Sequence, residues 1–493
     1  MKKLIILFVV LYKSALSGQT ILNSAALELK KNNESNQILN VENTKTHDVF
    51  VFAADNENIT ILKYNSSLFL TDEYKSSLKN SSSKSIVGYS FSPDGNPTIY
   101  WAPRDFTIIT ATKYFLETKK ERTIHFKFPA ENQYVVADFQ QNDTFSILSK
   151  DIKEQVLILD IFKNGTVEEK VFDFSSFLYQ DNSTKRINFT ELLKEFPIEK
   201  MDAESYNPLY KSTAKSKIYR FANRMILTLD HNSRKTQLFE INIENQEIKE
   251  KNFSQPNLKK ARKTSNSFYQ DDKLYQMAAN EDELFLNIKD YNFQTSLKTI
   301  QVSKNDTIRF KISPLLIQRE NRKPSELKTT KKYLNHLSYL DGGLSVYKNK
   351  ENTYITIGAT PKIRKEPSNL YKVYNRFENI NPITEEYEQP NYYVSNGNNE
   401  SVFFESVFDS NYTFRTQDQM EPLAVDNIYY FLSTSKTVAL DNILKFKDFY
   451  ILGYYDTKLK QYILRKFKDG FNADENIDPL DTPSSFRKPF SLK

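Results

Sequence analysis

A three-strand pattern recurs along this chain of 493 residues, and it restricts the fold more than any other feature. In its full form an apolar strand runs into a polar turn carrying Asp, a second apolar strand follows, and a turn with Asn or Asp leads to a third. "VFVFAADNENITILKYNSSLFL" from Val49 has Asp55 in the first turn and Asn65 in the second. The pattern returns from Thr144 with Asp151 and Asn164-Gly165, from Met225 with Asp230 and Asn245, from Glu283 with Asp290 and Asn305, and from Phe449 with Asp456 and Asp469-Gly470. Weaker versions are "FTIITATKYFLETKKERTIHFKF", "LSVYKNKENTYITIGA" and "YYVSNGNNESVFFESVF". Phe239, Ile241 and Ile243 alternate with Glu240 and Asn242, the period of two that a half-buried strand requires. Val156 to Leu159 is apolar throughout, as in a strand covered on both faces. Asn164-Gly165 supplies the positive φ angles of a tight hairpin.

Such units, without long helical periodicity, predict an all-β protein of meandering antiparallel sheets. A β-propeller of about seven blades (six to eight) fits best, because radial stacking leaves only short, protected edges. Two packed β domains dividing near residues 210–220 are the alternative. From Asp55 to Asp456 the spacing averages about 57 to 67 residues per step, above the ~40–50 of compact propeller repeats, so insertions are expected. Two are visible: one over 175–216, where "TELLKEFPIEKMD" predicts a short helix capped by Thr190 and ended by Pro197, and one over 362–391. The expected organisation is a signal peptide over 1–18, a propeller over 19–470 and a tail over 471–493.

One stretch carries a family likeness. "YSFSPDGNPTIYWA", Tyr89 to Ala102, resembles the "SPDG" hairpin of TolB-type and related exported bacterial propeller repeats. Pro93 presets φ and Asp94-Gly95 closes the turn. The resemblance covers about a dozen residues and implies the fold alone, with no active site carried over.

The chain opens "MKKLIILFVVLYKSALSGQT". Lys2 and Lys3, the apolar run Leu4 to Tyr12 and the small residues of Ala15-Leu16-Ser17 have the order of a signal peptide, and the run is too short to span a bilayer. Cysteine is absent, which removes disulfides, thiolate metal sites and Cys nucleophiles. Together with heavy use of Lys, Asn, Ile, Tyr and Phe, this points to export in an AT-rich, Gram-negative bacterium, to the periplasm or cell surface. Asn-x-Ser/Thr triplets arise by chance in so Asn-rich a chain. Trimming the signal peptide removes Lys2, Lys3 and Lys13 and lowers the formal charge from +6 to +3. The basic clusters "LKKARK" and Arg319 to Lys332 lack interleaved aromatics, so nucleic acid is not an expected partner.

Catalytic signatures are few. His47, His125, His231 and His336 are widely separated, and no HExxH, G-x-S-x-G or Gly-rich phosphate loop is present; no metal and no cofactor is expected. The acidic segments "AADNENIT" and "DENIDPLD" lack the spacing of a calcium loop. The recurring Asp55, Asp151, Asp230, Asp290 and Asp456 are expected to hydrogen-bond backbone N–H groups of their own turns. "IYWAPRDF" holds the only Trp in the chain, and Tyr100, Trp101, Arg104 and Asp105 form the candidate ligand patch: rings to stack on a sugar or peptide, a charged pair to orient it. Packing between blades is the competing role for the two rings. The expected function is a non-catalytic, monomeric module that binds a protein or glycan of the bacterial envelope. The alternative is a propeller glycoside hydrolase or lyase with carboxylates gathered in a central funnel.

Overall fold

The computed structural model describes residues 20–29, 36–78, 84–103, 106–128, 132–141, 143–163, 165–319, 322–349, 352–361, 363–364, 393–394, 400–416 and 421–470. Strand makes up 56% and helix 8%, so the protein is all-β. Among the described residues seven sheets of four or five strands, mainly antiparallel, follow one another, beside two two-stranded ladders. From inner to outer strand, blade one is Gln37–Glu42, Val49–Ala54, Asn58–Tyr64 and Leu70–Ser77. Blade two is Lys84–Phe91, Pro97–Pro103, Ile108–Phe115 and Lys120–Lys127, and blade three is Gln133–Gln141, Thr144–Asp151, Val156–Lys163 and Thr166–Asp173. Blade four has Ser216–Arg220, Arg224–Leu229, Lys235–Asn242 and Ile248–Ser254, with an additional innermost strand, Ile198–Met201. Blade five is Thr264–Gln270, Lys273–Ala279, Glu283–Asp290 and Ser296–Ser303.

The last two blades draw strands from elsewhere. Blade six has Asp341–Lys348, Thr353–Thr360 and Glu400–Phe408, then Leu316–Arg319 and Ser325–Glu326 from upstream on its outer side. Blade seven has Val438–Phe446, Phe449–Asp456 and Gln461–Phe467, and its outer strand is Thr20–Ala26. That strand pairs antiparallel with Gln461–Phe467, from Thr20↔Lys466 to Ala26↔Gln461. The inner strand of blade seven packs against that of blade one. The ring therefore closes, and the first described strand fastens the last blade. Blade four runs through residues 210–220, where the two-domain alternative placed a boundary.

Apolar layers fill the spaces between blades. Trp101, Ile86, Phe50 and Ile61 join blades one and two, whereas Tyr100, Phe145, Ile147 and Phe162 join two and three. The inner strands are more polar, for a reason that packing alone does not supply. Where neighbouring inner strands approach without a regular ladder, side-chain amides bridge them. Gln37 donates to the Lys84 carbonyl at 3.0 Å and accepts from Ile86 N–H at 2.7 Å. Gln140 accepts from Tyr89 N–H at 3.0 Å. Asn40 N–H donates to Asn442 Oδ1 and Asn40 Nδ2 to the Asn442 carbonyl, both at 2.8 Å. An amide carries both donor and acceptor, so it can satisfy backbone groups that a blade boundary would otherwise orphan.

The sequence pattern covers mainly second, third and outer strands; inner strands are quoted only in blade six, by "LSVYKNK", and blade two, by the start of the SPDG stretch. In blade five it was offset by one strand: Asp290 lies in the third-to-outer turn, and Asn280 accepts from Asp282 and Glu283 N–H in the second-to-third turn. The insertion over 175–216 contains a two-stranded hairpin, Tyr179–Gln180 with Arg186–Ile187, and helix α1, Phe189–Glu195. Asn188, not Thr190, caps α1, forming a capping box with Glu191; Asn at the N-cap with Glu three residues on satisfies two orphan groups reciprocally. The 362–391 insertion lies largely outside the described residues. The SPDG hairpin is the inner-to-second turn of blade two, with Gly95 at φ +75 and Ser92 Oγ donating to the Asn96 carbonyl at 2.9 Å.

Candidate functional site

The axis of a propeller is where a funnel would lie, and here the chain itself enters it. Ile198–Met201 pairs with Ser216–Arg220 in parallel, Ile198↔Ser216 to Met201↔Tyr219. Two parallel strands start at the same end, so residues 202–215 must travel back along the blade before the second begins. This return segment includes the one-turn helix α2, Leu209–Ser212. It meets blade six through Ser345 Oγ, which donates to the Asn207 carbonyl, and through hydroxyl contacts of Tyr206 with Thr356 (3.3 Å) and Thr213 with Thr360 (3.1 Å). Blade five reaches it through Asn266 Nδ2, which donates to the Thr213 carbonyl at 2.8 Å, and blade seven through Lys445 Nζ, 3.3 Å from the Glu204 carbonyl. A segment rooted in blade four that touches blades five, six and seven runs along the inner edges of this half of the ring. Leu209 and Ser212 are fully buried in it.

Two glycines of blade six make room. A Cβ on Gly343 would stand 2.9 Å from Thr213 Cα, and one on Gly358 would stand 2.8 Å from Leu209 Cδ2. Side chains at these positions would collide with the segment.

Beside it lies a fully buried ion pair, Lys217 Nζ to Asp230 Oδ2 at 3.2 Å. Lys217 also donates to the Ala214 carbonyl at 2.5 Å and to Asn266 Oδ1 at 2.6 Å. Its three N–H groups are thereby used, leaving no free lone pair for nucleophilic work while charged. Burial lowers its pKa to about 8 against the opposing pull of Asp230. The carboxylate is equally occupied: Oδ2 also accepts from Ser267 N–H (3.0 Å) and Oγ (2.8 Å), and Oδ1 from Thr236 Oγ1 (2.7 Å). A carboxylate so surrounded is a fastener between blades four and five and is poorly placed as a base. Lys217 has no sequence signal, because "AKSKIYR" reads as an ordinary strand start.

The other recurring aspartates behave as expected. Asp55 accepts from Glu57 and Asn58 N–H, Asp151 from Lys153 and Glu154, Asp290 from Asn292 and Phe293, and Asp456 from Lys458 and Leu459. Each caps its own turn; Asp230 alone of the five turns inward to bind a neighbouring blade.

The expected ligand patch is not assembled by its aromatic half. Tyr100 and Trp101 are consecutive strand residues and point to opposite faces of blade two. Tyr100 is fully buried, its ring stacked on Phe145 at 5.1 Å and its hydroxyl 2.9 Å from Ser90 Oγ. Burial pushes that hydroxyl up to about 12. Trp101, 4% exposed, packs toward blade one. Both rings do the work of inter-blade packing. Arg104 and Asp105 lie outside the described residues.

The four histidines stay apart. His47 meets Glu42 at 2.6 Å, His125 meets Thr110 at 3.1 Å, and His336 meets Glu400 at 2.5 Å, with Arg319 3.3 Å from the same carboxylate. His231 is buried beside the hairpin of residues 179–187, and burial lowers its pKa to about 4. Among the described residues no three His, Cys, Asp or Glu side chains are grouped to hold a metal ion.

No family model matches the sequence, and no curated protein does. Among solved structures the chain is similar to the WD40 domain of SCAP from fission yeast, at 11% identity and a TM-score of 0.30, covering 85% of this chain and 82% of that one. It is similar to the Dos1 propeller at 8% identity and a TM-score of 0.26, covering 91% and 78%. The seven-bladed assignment rests on the strand order and ring closure described above.

Proposed function

We propose that the protein is exported and acts as a non-catalytic propeller binding a protein or glycan of the bacterial envelope through its outer faces. One observation carries the reading: residues 202–215 line the inner side of blades five to seven, with Leu209 and Ser212 fully buried among them. A glycosidase needs two carboxyls about 5–10 Å apart facing a substrate. Asp230, buried between blades four and five, faces Lys217, Thr236 and Ser267 instead. The basic–apolar–small order of the first residues supports export.

Two measurements test this. Intact mass of protein from the native host should show a chain beginning near Ser17 or Gly18; one still beginning at Met1 contradicts export. Cell-wall glycans and an envelope protein extract should then be offered to the purified protein. Saturable retention of either without turnover supports binding. Release of reducing ends or unsaturated products from a glycan, abolished by replacing one carboxylate, assigns the chain to the carbohydrate-active alternative.

A further inference from the structure

The chain holds twelve Asn-x-Ser/Thr triplets. Chance accounts for their number, but folding leaves them unequal as acceptors of an N-linked oligosaccharide, which is added at exposed loops of exported proteins. Seven lie wholly among the described residues. Four of these are used by the fold. Asn58 begins a strand in which Ile59 and Thr60 are buried. Asn188 caps α1 with its side chain, and Asn182 Oδ1 accepts from Ser233 N–H at 2.7 Å. Asn65 Oδ1 accepts from Ser67 and Phe69 N–H, both at 3.0 Å. Asn252, Asn305 and Asn411 remain.

A periplasmic bacterial transferase reads an acid two places before the asparagine in addition to the triplet. Glu250 and Asp409 supply it for Asn252 and Asn411, whereas Ser303 holds that place before Asn305. Asn252 is engaged by the sheet. It lies in the outer strand of blade four, paired with Gln237, its Nδ2 donates to Glu250 Oε1 at 2.7 Å, and the middle residue of its triplet, Phe253, is buried.

Asn411 is arranged otherwise. It follows the third strand of blade six, in a turn that closes on Asp409. Asp409 Oδ1 accepts from Asn411 and Thr413 N–H, both at 2.9 Å, and Asp409 N–H donates to the Thr413 carbonyl at 3.0 Å. Tyr412, at φ +58, turns inward, with its ring edge-on to that of Tyr275 in blade five at 6.4 Å. Asn411 and Thr413 on either side of it are exposed, and the Asn411 amide has no hydrogen-bonding partner among the described residues. The triplet is thus bent and pinned at its middle, with its first and third side chains facing solvent and no strand to unpair.

We propose that Asn411 is a site of N-linked glycosylation, modified after export. Its Nδ2 attacks the anomeric carbon of an oligosaccharide carried on a polyprenyl diphosphate. The C–N bond forms, the C–O bond to the diphosphate breaks, the lipid diphosphate leaves with the electron pair, and one Nδ2 proton passes to a base of the transferase. The Thr413 hydroxyl and the Asp409 carboxylate are the groups by which the transferase holds the triplet.

The inference rests on the export proposed above, and the test separates the two. Protein purified from the native host is read by intact mass for its N-terminus and by peptide mass spectrometry for its modified asparagines. The expected result is a chain beginning near Ser17 or Gly18 with an oligosaccharide on Asn411 and none on Asn252 or Asn305. Asn411→Gln should remove it. Asp409→Asn keeps an oxygen to cap the turn and loses only the charge; it should leave the melting curve unchanged and lower occupancy about tenfold, as for losing a hydrogen bond to a charged group. A trimmed chain with Asn411 bare overturns the inference and leaves export standing, and an untrimmed chain overturns both. Asn305 occupied as fully as Asn411, or Asp409→Asn modified like wild type, means that the acid is not read and contradicts the assignment.

Discussion

Asp160 shows how a single residue can report on the interior. It lies in the third strand of blade three, paired with Ile147 and Glu169, and its Oδ2 is buried without a hydrogen-bonding partner. Burial, with repulsion from Glu169, raises its pKa to about 7. A raised carboxyl pKa means the folded protein holds a proton that the unfolded chain releases between about 4 and 7. Its contribution to stability therefore grows as pH falls through 7 and is lost as pH rises above it. His231 acts oppositely, since its lowered pKa costs stability as pH falls from 6.5 toward 4. Comparing Asp160→Asn with wild type cancels the histidine. The variant should be more stable at pH 8, by up to about 4 kcal/mol from ~1.36 kcal/mol per unit, less what water reaching the carboxyl relieves. The gap should close near pH 4; a gap independent of pH in thermal melts refutes the assignment. Trp101 tests packing at the same scale. Trp101→Ala should cost about 3–5 kcal/mol in urea unfolding, as for a buried aromatic, and a loss under about 1 kcal/mol would contradict its place between blades. The sequence offered both roles for this ring and could not choose, because period two fixes opposite faces for Tyr100 and Trp101 without saying that both are covered.

Elements were legible where the pattern was local. Second, third and outer strands are apolar or alternating and end in Asp or Asn turns, so they were readable as strands. Most inner strands are not, because Gln37, Asn40, Gln140, Asn266 and Asn442 spend their side chains on neighbouring blades, and a polar residue in a strand looks like a loop. The return segment 202–215 was expected only as an insertion. Its path depends on parallel pairing between residues 198–201 and 216–219, which no local signal encodes. Glycine at 343 marks where it presses on blade six. Gly343→Val should destabilise the protein by about 1–3 kcal/mol through overpacking against Thr213, read as a lower urea midpoint. An unchanged midpoint would mean that segment and blade are not in contact.

At the scale of the whole molecule, seven blades emerge from the strand order, and closure depends on the two ends of the described chain meeting at blade seven. The expectation of about seven blades came from counting units and allowing for insertions. The borrowing of Thr20–Ala26 and Leu316–Arg319 lies beyond it, since pairing between segments so distant in sequence leaves no local trace. The functional reading depends on the same global fact, that residues 202–215 are packed on the inner side of blades five to seven. Hydrogen–deuterium exchange resolved to peptides over 205–215 tests this most directly. Lys211, Ser212, Thr213 and Ala214 N–H groups donate within the segment, which is buried against blade six. The account predicts exchange as slow as that of the inner strands Thr264–Gln270 and Asp341–Lys348. Exchange on the timescale of exposed turns such as 292–295 would show that the segment is not held against blade six and contradict the account.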